Sequence, residues 1–157
     1  MSGSTDIHFS SKDQTWETPI DFFNKCNDVF NFTLDACADD TTFKVDNYYT
    51  EEDNALNKDW IGSVWCNPPY GKYQIDFVKK ALSESVKHNS VVVMLIPART
   101  ETKVWQDIIF KHANTIVFVK SRLKFGGSKY NAPFPSALVI FGDCDVDLNH
   151  IGKQFYI

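Results

Sequence analysis

The sequence predicts an α/β fold built on a doubly wound, mostly parallel sheet, and three observations support that class. Strand-length apolar runs alternate with helical patterns along the chain. One run, Val91 to Ile96, contains no polar residue, the mark of a strand covered on both faces. Three of the runs lead straight into prolines or polar side chains, the place where open α/β sheets hold their ligands.

The elements follow in chain order. Thr18-Pro19-Ile20-Asp21 reads as a helix start, with Thr18 as N-cap, Pro19 at the first helical position and an acid at the third. Ile20, Phe22, Phe23, Cys26, Val29 and Phe30 then recur at helical spacing. Phe32 to Ala36 is a short strand, and an irregular acidic stretch runs on to about Asp59. Gly62 to Cys66 is a second strand, stopped by two prolines that have a fixed φ and no N–H for a ladder. Tyr73 to about His88 is an amphipathic helix with Ile75, Phe77, Val78, Ala81, Leu82 and Val86 inward. Pro97 ends the third strand, Thr102 to about His112 is a helix, and Thr115 to Val119 and Ala137 to Phe141 are strands. Residues 1–15 read as a polar, flexible N-terminus and 16–157 as a single domain, which suits a chain of 157 residues.

Composition excludes several classes. A hydrophobic content of 43% with 15% aromatics calls for a packed body, not a disordered chain. No apolar run approaches the roughly 18 residues of a membrane span, and the N-terminus lacks the apolar centre of a secretory signal. Cys26, Cys37, Cys66 and Cys144 form no C-x-x-C pair and read as reduced thiols of a cytoplasmic protein. The histidines are scattered, so no metal site is expected. The net charge of −4 does not advertise nucleic-acid binding, but its distribution is uneven. From Asp28 to Trp60 nine acids face two lysines, a balance of −7, whereas Lys120 to Tyr130 carries four cations and no acid. Contact with a polyanion belongs on the second segment.

The most informative stretch is Asn67-Pro68-Pro69-Tyr70, at the end of the second strand. The proline carbonyls have no ladder to join and can face a cavity, beside the amide oxygen of Asn67 and the flat ring of Tyr70. Two acceptors and a stacking ring suit an amino group on a planar heterocycle. The exocyclic amine of such a ring is a poor nucleophile, because its lone pair is delocalised. Acceptors that take both of its hydrogens favour the pyramidal geometry in which that pair is localised. Asp35 ends the first strand and Pro97-Ala98-Arg99-Thr100 the third, so three polar groups gather at strand ends.

With this motif in place, the chain resembles the DNA N6-adenine methyltransferases, most closely their short, phage-encoded, Dam-like branch. The resemblance runs from about Trp16 to Phe141. It rests on Trp16-Glu-Thr-Pro19, Leu34-Asp-Ala-Cys-Ala38, Asp53-Asn-Ala-Leu56, Trp65-Cys-Asn-Pro-Pro-Tyr-Gly71, Arg122-Leu-Lys-Phe-Gly126 and Ala132-Pro-Phe-Pro-Ser136. It implies a Rossmann-like sheet of the S-adenosylmethionine-dependent methyltransferase type. It also implies methyl transfer from S-adenosylmethionine to N6 of an adenine flipped out of double-stranded DNA, in the bacterial host cytoplasm if the gene is a phage's. The resemblance makes Asn67, Pro68, Pro69 and Tyr70 the catalytic motif, with Asn67 and the Pro68 carbonyl holding the amine and Tyr70 stacking on the base. It places Asp35, Ala36 and Cys37 near the methionine part of the donor, Thr18 and Pro19 across that pocket, and Asp53 on the donor's adenine amino group. One departure is that the loop Asp35 to Asp40 lacks the family's glycines. Since the donor's sulfonium is already activated, alignment matters more than a strong base.

Lys120, Arg122, Lys124 and Lys129 alternate with Phe125, Tyr130 and Phe134, the pattern of a surface that grips phosphates and stacks bases. Phe125 and Phe134 are candidates for a second wall of the base pocket, and a solvated basic loop beside a core Phe125 is the plain alternative. Two other functions stay open. The same four residues also serve methylation of amino or amide groups in RNA or protein, and a non-catalytic nucleic-acid-binding module could retain the fold.

Overall fold

The apolar run after Asn89 occupies the centre of the sheet, where both of its faces are covered, and Val92 to Ile96 are fully buried. The computed structural model describes residues 16–126 and 131–157. Among these, six strands form one open sheet: β1 (Leu34–Asp35), β2 (Ser63–Cys66), β3 (Val91–Pro97), β4 (Thr115–Val119), β5 (Ser136–Phe141) and β6 (Gly152–Tyr156). Their order is β1-β2-β3-β5-β4-β6. Helices α1 (Ile20–Phe30) and α2 (Gln74–His88) precede β1 and β3. A π-helix, Val104–Ile109, runs into the short α3 (Phe110–His112) before β4.

The sheet is mixed, which corrects the expectation of a mostly parallel one. Only the β1–β2 and β2–β3 pairs are parallel, while β3–β5, β4–β5 and β4–β6 are antiparallel. The reason is connectivity. No helix among the described residues carries the chain back between β4 and β5, so it re-enters the sheet at the end where it left. From Phe141, beside the start of β4, the chain then crosses to the rim, and β6 enters beside Val119, antiparallel to β4. This edge strand was not anticipated, because Lys153, Gln154 and the exposed Phe155 and Tyr156 carry no buried apolar run.

Three local expectations are also corrected. Thr18 does not cap α1: Pro19 holds the N-cap position with no side-chain cap bond, and the Thr18 hydroxyl is engaged elsewhere. Ile20, one residue further on, is 55% exposed. Val86 is 77% exposed and not inward. It lies nine residues after buried Phe77, two and a half turns of an α-helix, and so on the opposite face. The buried arc takes in Glu84 and Ser85 instead, and the Glu84 carboxylate accepts the Trp60 N–H at 2.6 Å. The helix expected over Thr102 to His112 is π-helical across Val104–Ile109. Its i→i+5 period brings Val104 and Ile109 onto the same buried face beside Trp105.

β1 to β4 all point the same way, and β5 starts where they end. Asp35, Asn67, Pro97, Lys120 and Ser136 therefore gather at one rim of the sheet. No helix among the described residues is long and apolar enough to cross a membrane.

Candidate active site

Asn67 leaves β2 at this rim, and the two prolines after it are buried, as is Tyr70. The Asn67 amide nitrogen donates to the Trp16 carbonyl and to the Thr18 hydroxyl, the latter at 3.0 Å. A carbonyl only accepts, so these partners fix which end of the amide is nitrogen. The oxygen, Oδ1, is thereby turned the other way, where it accepts the Tyr70 hydroxyl at 2.9 Å. That hydroxyl also lies 3.1 Å from the Leu95 carbonyl, so its single proton has two acceptors to choose between. Burial pushes the Tyr70 phenol well above its usual range, which keeps it a neutral donor. The Pro68 carbonyl takes no hydrogen bond from any described residue. The Pro68 carbonyl and Oδ1, on consecutive residues, thus each keep a lone pair that no described residue takes.

Tyr70 is 6% exposed, and its ring is hemmed in by others. Phe134 and Phe125 meet it edge-on at 5.6 and 6.4 Å between centroids. Trp16 packs edge-on against the same two rings at 5.5 and 5.6 Å. The Arg99 guanidinium lies 5.7 Å from the centre of Phe134. Both phenylalanines therefore sit in the aromatic cluster around the motif.

Residues 16–18 tie the rim together. Gly126, at φ +52, donates its N–H to the Glu17 carbonyl at 2.9 Å, a backbone angle that suits glycine. The Glu17 carboxylate pairs with Lys44 at 3.2 Å. This strap links the acidic loop after β1, the motif after β2 and the basic loop after β4. The role of Trp16 is not legible in the sequence, since a backbone carbonyl leaves no trace in residue type. Arg99, at the end of the third strand, reaches the aromatic cluster through Phe134, a contact the sequence does not signal.

Asp35 is 2% exposed. Its two oxygens accept the backbone N–H groups of Cys37 at 3.3 Å and Lys44 at 3.0 Å, which folds the glycine-free loop over it. Burial outweighs those bonds and pushes the carboxyl up to about 6. Ala36 is fully buried and gives its N–H to the Trp65 carbonyl. Cys37 is half-buried; burial raises its thiol, as it does those of Cys66 and of Cys26, the last to about 12. Asp53 lies further along the acidic segment, exposed, where Oδ2 closes a capping box on the N–H and hydroxyl of Thr50. Lys120, Arg122 and Lys124 are exposed, and Lys129 lies outside the described residues, like the expected flexible stretch 1–15.

Among the described residues, one group of potential metal ligands comes together. Asp59, Glu84 and His88 offer atoms within 4.8 Å of one another, at the entry to β2 and remote from Asn67. Glu84 already serves Trp60 and pairs with Lys80 at 3.5 Å.

Comparison with known proteins agrees with this geometry. Residues 4–141 match the family model described as DNA N-6-adenine-methyltransferase (Dam). A DNA N-6-adenine-methyltransferase of Haemophilus phage HP1 is 42% identical over 120 residues, which are 74% of this chain and 68% of the relative. One from Escherichia phage T1 is 32% identical over 111 residues, 69% of this chain and 45% of the relative. A motif with two open acceptors at the sheet rim, the match over most of the chain and these phage relatives lead to one conclusion: the chain belongs to the DNA N-6-adenine-methyltransferase (Dam) family.

Proposed function

We propose that the chain transfers a methyl group from S-adenosylmethionine to the N6 amino group of an adenine turned out of duplex DNA. The observation that carries this reading is the pair of open acceptors, Asn67 Oδ1 and the Pro68 carbonyl, beside an aromatic cluster. The two acceptors take the two hydrogens of the amine and leave its lone pair pointing away from both. As the amine arrives at Oδ1, the Tyr70 hydroxyl turns its proton to the Leu95 carbonyl and remains satisfied. The bound donor supplies a methyl group already activated on a sulfonium. The residues then need only hold nitrogen and methyl in line and keep water out. After transfer the nitrogen is cationic and sheds a proton to solvent, so no strong base is needed.

The acidic loop suits this donor, which carries an ammonium and a sulfonium against one carboxylate. Asp35, Ala36 and Cys37 would face its methionine end and Asp53 its adenine. The raised Asp35 carboxyl supports that role, because a cation beside it would restore its charge. Thr18 and Pro19 close the pocket, with Thr18 also fixing the Asn67 amide. Lys120, Arg122, Lys124 and Lys129 would grip phosphates, and Phe125 or Phe134 would wall the flipped base. The site of action is the compartment that holds the DNA, the host cytoplasm.

The test is transfer of an isotopically labelled methyl group to separate DNA, RNA and protein pools, followed by digestion and mass spectrometry. Label in N6-methyldeoxyadenosine is expected. Label confined to RNA or protein would overturn the reading.

A further inference from the structure

We infer that Lys25 and His150 join the basic loop after β4 to form a cleft that seats the sugar-phosphate backbone of the DNA, an inference that rests on the function proposed above. The cleft measures about 350 Å³. Three separate parts of the chain build it: the first turns of α1, the segment from Val119 to Lys124, and the turn before β6. Lys25, Lys120, Arg122, Lys124 and His150 line it, against the single acid Asp21. Counting fixed charges, four cations and one acid leave +3 on a chain whose net charge is −4.

These cations are exposed, and none forms an ion pair among the described residues, although the chain has 20 acids to offer. A run of basic residues on one loop is commonly a solvated face. Cations brought from distant parts of the sequence into one concavity are not accounted for that way. A concave surface of one sign concentrates its field on an oppositely charged ligand. The ligand is therefore anionic, which excludes the methyl donor, a net cation, and suits phosphodiesters. Position supports the same ligand. Pro19 and Lys124 in the cleft walls adjoin Thr18, which holds Asn67, and Phe125, which packs on Tyr70. A strand lying in the cleft would thus pass beside the amine acceptors.

Lys25→Gln tests the inference, since Lys25 is exposed on α1 and lies outside the loop already given to DNA. Fluorescence anisotropy of a labelled duplex is read across a range of salt. The variant should weaken binding, with a plot of log affinity against log salt shallower by about 0.9 for the one lost phosphate contact. Lys25→Gln with Lys120→Gln should flatten it further, while calorimetric S-adenosylmethionine binding stays at the wild-type value. Lys79→Gln, exposed on α2 and outside the cleft, should match wild type. Suppose the wild type methylates DNA but Lys25→Gln keeps its affinity and salt slope: the cleft inference then fails alone. If the wild type neither binds nor methylates DNA, the functional reading fails, and the cleft with it.

Discussion

Asp35 offers a prediction whose size follows from its surroundings. The carboxyl is 2% exposed and is raised from 3.8 to about 6, chiefly by burial, despite two backbone N–H donors. A group held more firmly protonated in the folded state contributes stability that is fully present below its unfolded pKa. That contribution is lost as pH rises through the folded value. The gap between 3.8 and about 6 corresponds to about 3 kcal/mol, lost between about pH 4 and pH 7. Asp35→Asn removes the titration, keeps one acceptor and loses another, so it adds a constant offset and takes away the slope. Urea unfolding of wild type and variant at matched pH values reads the difference. The stability of the variant relative to wild type should climb by about 3 kcal/mol from about pH 3 to pH 7.5, or roughly 6–12 °C in melting temperature for a chain of this size. Saturating S-adenosylmethionine should shrink that climb, because a cation beside Asp35 favours its charged form. Parallel pH profiles for the two proteins would refute the reasoning.

Two further outcomes concern the rim. Thr18→Val removes one of the two acceptors that orient the Asn67 amide, and should cost about 1 kcal/mol in stability. It should also lower the rate of methyl transfer measured with donor saturating, with Thr18→Ser restoring both; a variant as fast as wild type under those conditions would refute the role of Thr18 in orienting Asn67. The Ser136 hydroxyl, opposite Pro97, is a buried side-chain oxygen without a hydrogen-bond partner among the described residues. Ser136→Ala should therefore raise the unfolding free energy by about 1 kcal/mol in chemical denaturation, and a loss of that size would show that the hydroxyl has a use.

Much of this architecture was legible because burial writes itself into residue type. The apolar runs of β2, β3, β4 and β5 and the motif at the end of β2 stand within a residue of their expected places. Strand direction was not legible, since an apolar run such as Ala137 to Phe141 reads the same either way. Nor was β6, whose side chains face water at a sheet edge. Thr50-Glu-Glu-Asp53 does carry the spacing of a capping box, so that use of Asp53 was available to the eye. Thr18 carried two signals, helix cap and pocket residue, and its hydroxyl went to Asn67. The part of the site made by the Trp16 and Leu95 carbonyls is invisible in sequence, because every residue has a carbonyl.

The central claim is that Asn67 Oδ1 and the Pro68 carbonyl hold the amine while the methyl group is transferred. The single-turnover rate of labelled methyl incorporation into adenine N6 tests it, measured for wild type and Asn67→Ala with donor and DNA saturating. Loss of an acceptor that acts on the transition state should slow transfer on the order of 10²-fold or more, with the donor dissociation constant nearly unchanged. A rate within a few-fold of wild type would contradict the account.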